Sequence, residues 1–383
     1  MTSPSWSRLR PMRARPADEP HRAVTPLELL FDLCFVVAVA QAAAPLHHSL
    51  AGNHVADGLR AYLTIFFCIW WAWMNFTWFA SAYDTDDDLY RVTTLVQIAG
   101  ALVLAAGVAP AFERDDYRVI TAGYVVMRLA LASQWLRAAK SDPPRRRTAI
   151  RYAVGVIGLQ GCWLLWLLLP GEWTLGAFLV LALAELAVPI WAELAPGGPT
   201  IYHRHHIAER YGLFTLIVLG EAVAAASMAF RSGLDETGRH TPELLSLAVS
   251  GLVIVFALWW LYFDQPVRCR FGSLRASTAW GYGHYLIFAS AAAVGAGLAA
   301  AVDHVTHHAD ASATLSGFAV AVPVATYLLT LWSLFTCPHQ RPRTRWMLPV
   351  TVVLALGTPL LPGSVELLAA LLAALVLLTG PRR

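Results

Sequence analysis

Glu28 and Asp32 stand four residues apart in an otherwise apolar run, E-L-L-F-D-L-C-F-V-V-A-V-A-Q, a spacing that places both carboxylates on one face of a helix. A second run opens with Glu209 and Arg210, and Glu221 follows twelve residues after Glu209, about 18 Å along a helix axis. Arg128 and Glu185 each sit deep among Leu, Ala and Val, and His284 lies in another apolar stretch. In hydrocarbon each such charge costs roughly 2.5–3.5 kcal/mol on translocon scales, so these side chains are expected to face a bundle interior or a cavity. Two kinds of chemistry fit them. They can bind and hand on protons or coordinate a solute, or they can pair as staples between helices. Arg128 is expected to meet Glu221, Glu185 or Asp32. Glu28 also suits a helix start, with Thr25 as cap and Pro26 in the first turn.

His284 could relay protons if it faces such a cavity, and a satisfied core histidine is the competing reading. Metal-like spacings occur in His203-x-His205-His206-x-x-Glu209 and His304-x-x-His307-His308-x-Asp310, but neither forms a sharp ligand motif, and no metal or other cofactor is expected. The cluster Trp70, Trp71, Trp73, Phe76, Trp78 and Phe79 can wall a pocket or simply fill the core. Cys34, Cys68, Cys162, Cys269 and Cys337 show no C-x-x-C spacing, so neither a disulfide frame nor a zinc knuckle is expected. Lys140 is the chain's one lysine and follows no G-x-x-x-x-G, which removes a P-loop and an ATP-driven pump. A retinal Schiff base, which needs a mid-span lysine, is removed as well. No G-x-S-x-G or H-E-x-x-H is present, and no catalytic residue is assigned.

The elements that position these groups follow from composition. Hydrophobic residues make up 57% of 383 positions and charged ones 14%, against roughly 25% charged in soluble domains. Apolar runs of spanning length recur near 26–45, 57–80, 89–110, 117–139, 148–169, 173–194, 205–230, 243–263, 277–301, 312–336, 346–361 and 364–379. The fold class expected is therefore an all-α polytopic transmembrane bundle of about twelve spans. Residues 1–22 carry Arg8, Arg10, Arg13 and Arg15 with no apolar core, which predicts a disordered basic cytoplasmic arm rather than a signal peptide. Arginines recur on the same side, in Arg137–Arg151, Arg268–Arg275, Arg341–Arg345 and Arg382–Arg383. The positive-inside rule then places both termini in the cytoplasm. A net charge of +3 spread over loops gives no nucleic-acid footprint.

Two segments echo each other. Trp70-Trp71-Ala72-Trp73-Met74-Asn75 aligns without a gap on Trp259-Trp260-Leu261-Tyr262-Phe263-Asp264, pairing Asn75 with Asp264. Six spans separate the copies, an even number, so a true repeat would be parallel, with six-helix halves at 24–195 and 203–380. Chance similarity in a Trp- and Leu-rich alphabet is the alternative.

Several motifs together resemble one family. They are Thr25-Pro26-Leu27-Glu28-Leu29-Leu30-Phe31-Asp32-Leu33, the stretch Trp70 to Asp84, His206-x-x-Glu209-Arg210-Tyr211-Gly212-Leu213-Phe214 through Gly220-Glu221, and Trp259-Trp260-x-Tyr262-Phe263-Asp264. In this order, and over residues 24–380, the chain is similar to the bacterial low temperature requirement protein A family. The resemblance implies a multi-pass bacterial inner-membrane protein with a link to growth in the cold. It adds weight to Glu28, Asp32, Glu209, Arg210, Glu221 and Asp264, and it supplies no substrate.

The leading functional expectation is a gradient-driven, proton-coupled small-solute transporter, its partners the lipid bilayer, a solute and protons. Its cavity would be walled by spans 1, 2, 7 and 8 and bear Asp32, Glu221 and Asp264. The alternatives are a membrane-state sensor or assembly factor, and an intramembrane enzyme. A transporter predicts Asp32 and Glu221 on a solvated cavity wall, a sensor predicts charges paired and dry, and an enzyme predicts a lateral opening beside a catalytic group.

Overall fold

The computed structural model describes residues 10–15, 22–237, 241–265, 273–335 and 342–379. Its helices are α1 (Pro26–Ala51), α2 (Val55–Tyr83), α3 (Asp88–Ala106), α4 (Val108–Arg114), α5 (Arg118–Ser141), α6 (Arg146–Trp166), α7 (Gly171–Glu193) and α8 (Arg204–Thr237). They continue with α9 (Thr241–Phe263), α10 (Leu274–Val305), α11 (Ala313–Phe335), α12 (Pro342–Gly357) and α13 (Ser364–Thr379). No strand occurs among the described residues. Ten helices there are long and apolar enough to cross a membrane, with α3 and α4 counted as one stretch, Asp88–Arg114. Two shorter apolar helices, Trp346–Leu360 and Ser364–Thr379, fall where the last two spans were expected. The all-α polytopic bundle read from composition is the observed fold.

Helix starts follow local chemistry. Thr25 and Glu28 form a capping box: the Glu28 Oε2 accepts from the Thr25 backbone N–H at 2.9 Å, and the Thr25 Oγ1 accepts from the Glu28 N–H at 3.3 Å. Pro26 occupies the first turn of α1. Asp87 caps α3 by accepting from Tyr90 N–H, and Ser273 caps α10 by accepting from Ala276 N–H.

The chain divides into two compact units, one made of residues 1–38 and 67–211, the other of 39–66 and 212–383. In the first, α3 packs on α5, α5 on α6 and α6 on α7. Small residues let the backbones meet: a Cβ on Gly100 would stand 2.9 Å from the Gly123 carbonyl oxygen, so α3 and α5 cross where neither has a side chain. In the second unit α10 packs on α11 and α13 on α9. There Gly297 lies directly against the Ala319 backbone. Short stretches of the basic arm belong to the first unit. Met12 is buried, and the Arg15 backbone N–H donates to the Ala82 carbonyl at 3.0 Å. Residues 10–15 of this arm are held by backbone donors, the Arg10 N–H giving to Asp87 Oδ2 at 2.9 Å beside the Arg15 bond to Ala82.

Candidate functional site

The first unit holds two buried charge networks. In one, α1 supplies Glu28 and Asp32 on the shared face their spacing predicts, and α8 supplies His206 and Arg210, also four apart. All four are fully buried. The Arg210 guanidinium forks onto Asp32, its Nε donating to Oδ2 at 3.3 Å and its Nη2 to Oδ1. The Trp73 indole donates to the same Oδ1 at 2.7 Å. The Arg210 guanidinium carbon also lies 5.6 Å from the Phe76 ring centroid, 5.9 Å from Trp73 and 6.0 Å from Phe31, an aromatic cage suited to a desolvated cation. His206 Nε2 meets Glu28 Oε2 at 3.2 Å. Arg22 adds its Nη2, 3.5 Å from Glu28 and 3.6 Å from Asp84, while donating to the carbonyls of Ala80 and Ser81.

The line of charge therefore runs from Asp84, just past the end of α2, through Arg22 and Glu28 to Arg210 and Asp32. Burial pushes the Asp84 carboxyl up to about 6, helped by the nearby Glu28 charge and opposed by Arg22. Asp87, three residues on, goes the other way. Burial would raise it, but hydrogen bonds from Arg137 and from the Tyr90 and Arg10 backbones hold it at about 2.

The second network centres on Glu185 of α7. Its Oε2 accepts from Arg128 Nη2 at 2.6 Å and from the Trp71 indole at 2.9 Å. Its Oε1 accepts from the Tyr124 hydroxyl at 3.1 Å, the Trp163 indole at 3.2 Å and Gln160 at 3.4 Å. Donors from α2, α5 and α6 thus converge on one carboxylate that is fully buried. Among the partners expected for Arg128, tertiary packing selects Glu185.

The remaining sequence-chosen residues stand apart from these networks. Asn75 is buried on α2 and donates to the Trp71 carbonyl of its own helix at 2.8 Å. Glu209 is exposed at the start of α8, hydrogen-bonded by the Val24 backbone. Three belong to the second unit. Glu221 is half-buried near the middle of α8, and Asp264 is exposed just beyond α9. His284 is fully buried, its Nδ1 on the Trp280 carbonyl at 2.7 Å and its Nε2 on the Tyr262 hydroxyl at 3.0 Å, the contacts of a satisfied core histidine. The two echoing aromatic segments differ in setting: Trp70, Trp71 and Trp73 are buried, Trp259 and Trp260 exposed.

Sequence reasoning passed over Arg22, Asp84 and the polar ends of Trp71, Trp73, Tyr124, Gln160 and Trp163. Asp84 closes the Trp70–Asp84 motif, and Arg22 sits three residues before the Thr25 cap, so both lie beside recognised signals. Among the described residues no three His, Cys, Asp or Glu side chains gather at metal-binding distance. Cys34, Cys68 and Cys162 are free thiols, while Cys269 and Cys337 lie outside the described residues.

Ten long apolar helices, with fully buried acid–base pairs joining them, define a multi-pass α-helical membrane protein. The family model described as bacterial low temperature requirement A protein matches residues 23–380, and the chain belongs to that family. It is also similar to an uncharacterized protein of Rhizobium meliloti (strain 1021), 27% identical over 246 residues, which cover 62% of this chain and 58% of that relative. The alignment thus spans somewhat over half of the relative's length. No solved structure matches the chain.

Proposed function

We propose that this protein is a membrane-state sensor or assembly factor of the bacterial inner membrane, with both termini in the cytoplasm, serving growth at low temperature. The observation that carries this reading is the state of Asp32. Both its oxygens are held by Arg210, one also by Trp73, and the side chain has no exposed surface. A carrier needs that carboxylate on a wetted wall, where it can exchange protons or touch solute. Glu185 is enclosed in the same manner. Such pairs hold α1, α2 and α8, and likewise α2, α5, α6 and α7, in a defined arrangement, and a change in bilayer thickness or order would have to act through them. The family name, with its low temperature requirement, is consistent with this role.

Proton-coupled transport of a small solute is the second reading, and Glu221 favours it. This carboxylate lies seventeen residues into α8, half-buried, and makes no ion pair or hydrogen bond with the described residues. The deciding experiment is proton flux into liposomes holding the purified protein, under an imposed pH gradient and against a solute panel, with Glu221→Gln as comparison. No flux from folded protein supports the sensor reading. Solute-dependent flux that disappears in Glu221→Gln overturns it in favour of transport.

A further inference from the structure

We propose that the groove where α3 begins and α5 ends binds the phosphate headgroup of an anionic phospholipid. The groove lies wholly within the first unit, encloses 1230 Å³, and is lined by Arg10, Arg13, Arg137, Lys140 and Arg145, with Asp142 as its carboxylate. Arg137 is held by Asp87, and Arg145 lies 3.5 Å from Asp142 while donating to the Pro199 carbonyl at 3.1 Å. Two carboxylates set against five cations leave the groove positively charged. Arg13 and Lys140 stand exposed in it. Arginine forks and an ammonium are the donors that a phosphate diester takes.

The lipid source, rather than a free anion, is indicated by what continues from the groove into the bilayer. Leu89 and Leu136 line the groove, each with a little under half of its surface exposed. On α3 the exposed face continues from Leu89 through Val92 to Val96, and on α5 it runs back from Leu136 through Ser133 to Leu129. These steps of three, four and seven residues put each set on one side of its helix. The two helices pack together, so apolar stripes on neighbouring helices lead away from a cationic mouth. Headgroup in the mouth and acyl chain along the stripes is the arrangement of basic pockets at the cytoplasmic ends of spans. It is also consistent with the docking of residues 10–15, since Arg10 and Arg13 reach the groove only because that segment lies along the helix ends.

Lys140 is the chain's one lysine, so acylation of its ε-amine reports on this groove alone. The full-length protein is placed in nanodiscs of phosphatidylglycerol or of phosphatidylcholine, treated with a water-soluble amine-reactive ester, and the Lys140 peptide is followed by mass spectrometry. Phosphatidylglycerol should slow modification about fivefold relative to phosphatidylcholine, and Arg13→Gln, an exposed change, should remove much of that protection. Inorganic phosphate added to the phosphatidylcholine discs should not protect. Equal rates in both lipids would mean that no anionic headgroup covers Lys140, and protection undiminished in both Arg13→Gln and Arg10→Gln would mean a general surface potential; either overturns the proposal. Protection by inorganic phosphate alone would overturn the lipid assignment.

Discussion

Arg128 and Glu185 form a buried pair of the first unit, and their contribution depends on both being present. Removing one partner of a buried pair costs about 3–5 kcal/mol, because the other charge remains buried and uncompensated. Arg128→Met is therefore expected to lower the melting temperature of the detergent-solubilised protein sharply, and Arg128→Met combined with Glu185→Gln to recover part of the loss. A double variant no better than the single one would mean that the indole and hydroxyl donors, rather than the ion pair, hold the carboxylate. Asp84 predicts a pH effect of definite sign. Its carboxyl is raised from 3.8 to about 6, so the folded protein binds this proton more tightly than the unfolded chain. The group favours folding most below about pH 4, and that contribution fades as pH climbs towards 6, a swing of about 3 kcal/mol. Melting followed from pH 4.5 to 7.5 should slope downward from this group, and Asp84→Asn should flatten the slope. The sequence marked Arg128 and Glu185 as charges needing partners, yet three acids competed for Arg128. Helix rotation, which no spacing within one segment reports, settled the choice.

At the level of elements, the crossing of α3 and α5 depends on glycine at two positions. A Cβ on Gly123 would press into the Leu104 backbone and the Gly100 carbonyl, so Gly123→Ala has to push the helices apart. Overpacking of this kind costs typically about 1–3 kcal/mol. Gly158 on α6 has nothing within 4 Å of the same virtual atom, and Gly158→Ala should be neutral or slightly stabilising through helix propensity alone. Unfolding midpoints of the two variants, measured side by side, check this contrast. The helices themselves were legible in the sequence: the Thr25-Pro26-x-Glu28 signature opens α1 as its capping chemistry requires, and the run at 364–379 coincides with α13. Length was harder to read. The seventh span, expected over 205–230, continues as α8 to Thr237, because helical hydrogen bonding runs on through polar residues beyond the apolar run that hydropathy marks.

For the whole molecule, the sensor reading makes the Asp32–Arg210 clamp essential and Glu221 dispensable. In a strain whose cold growth depends on this gene, Arg210→Gln should fail to restore growth at low temperature while Glu221→Gln restores it, with membrane levels of both variants matched by immunoblot. The reverse pattern would favour transport. What the sequence by itself determined is the class of protein: its solvent, its approximate spans, its family, and the few charged groups that membrane burial makes expensive. Those properties are sums or periodicities along one segment, and hydropathy and spacing report them directly. Only the tertiary structure decided that Asp32 is locked to Arg210 and Trp73, that Glu185 collects donors from three helices, and that His284 is spent on Tyr262 and Trp280. Partnership inside a bundle depends on the rotation and crossing of helices far apart in the chain, and the close backbone approach of residues such as Gly100 and Gly123 sets that geometry.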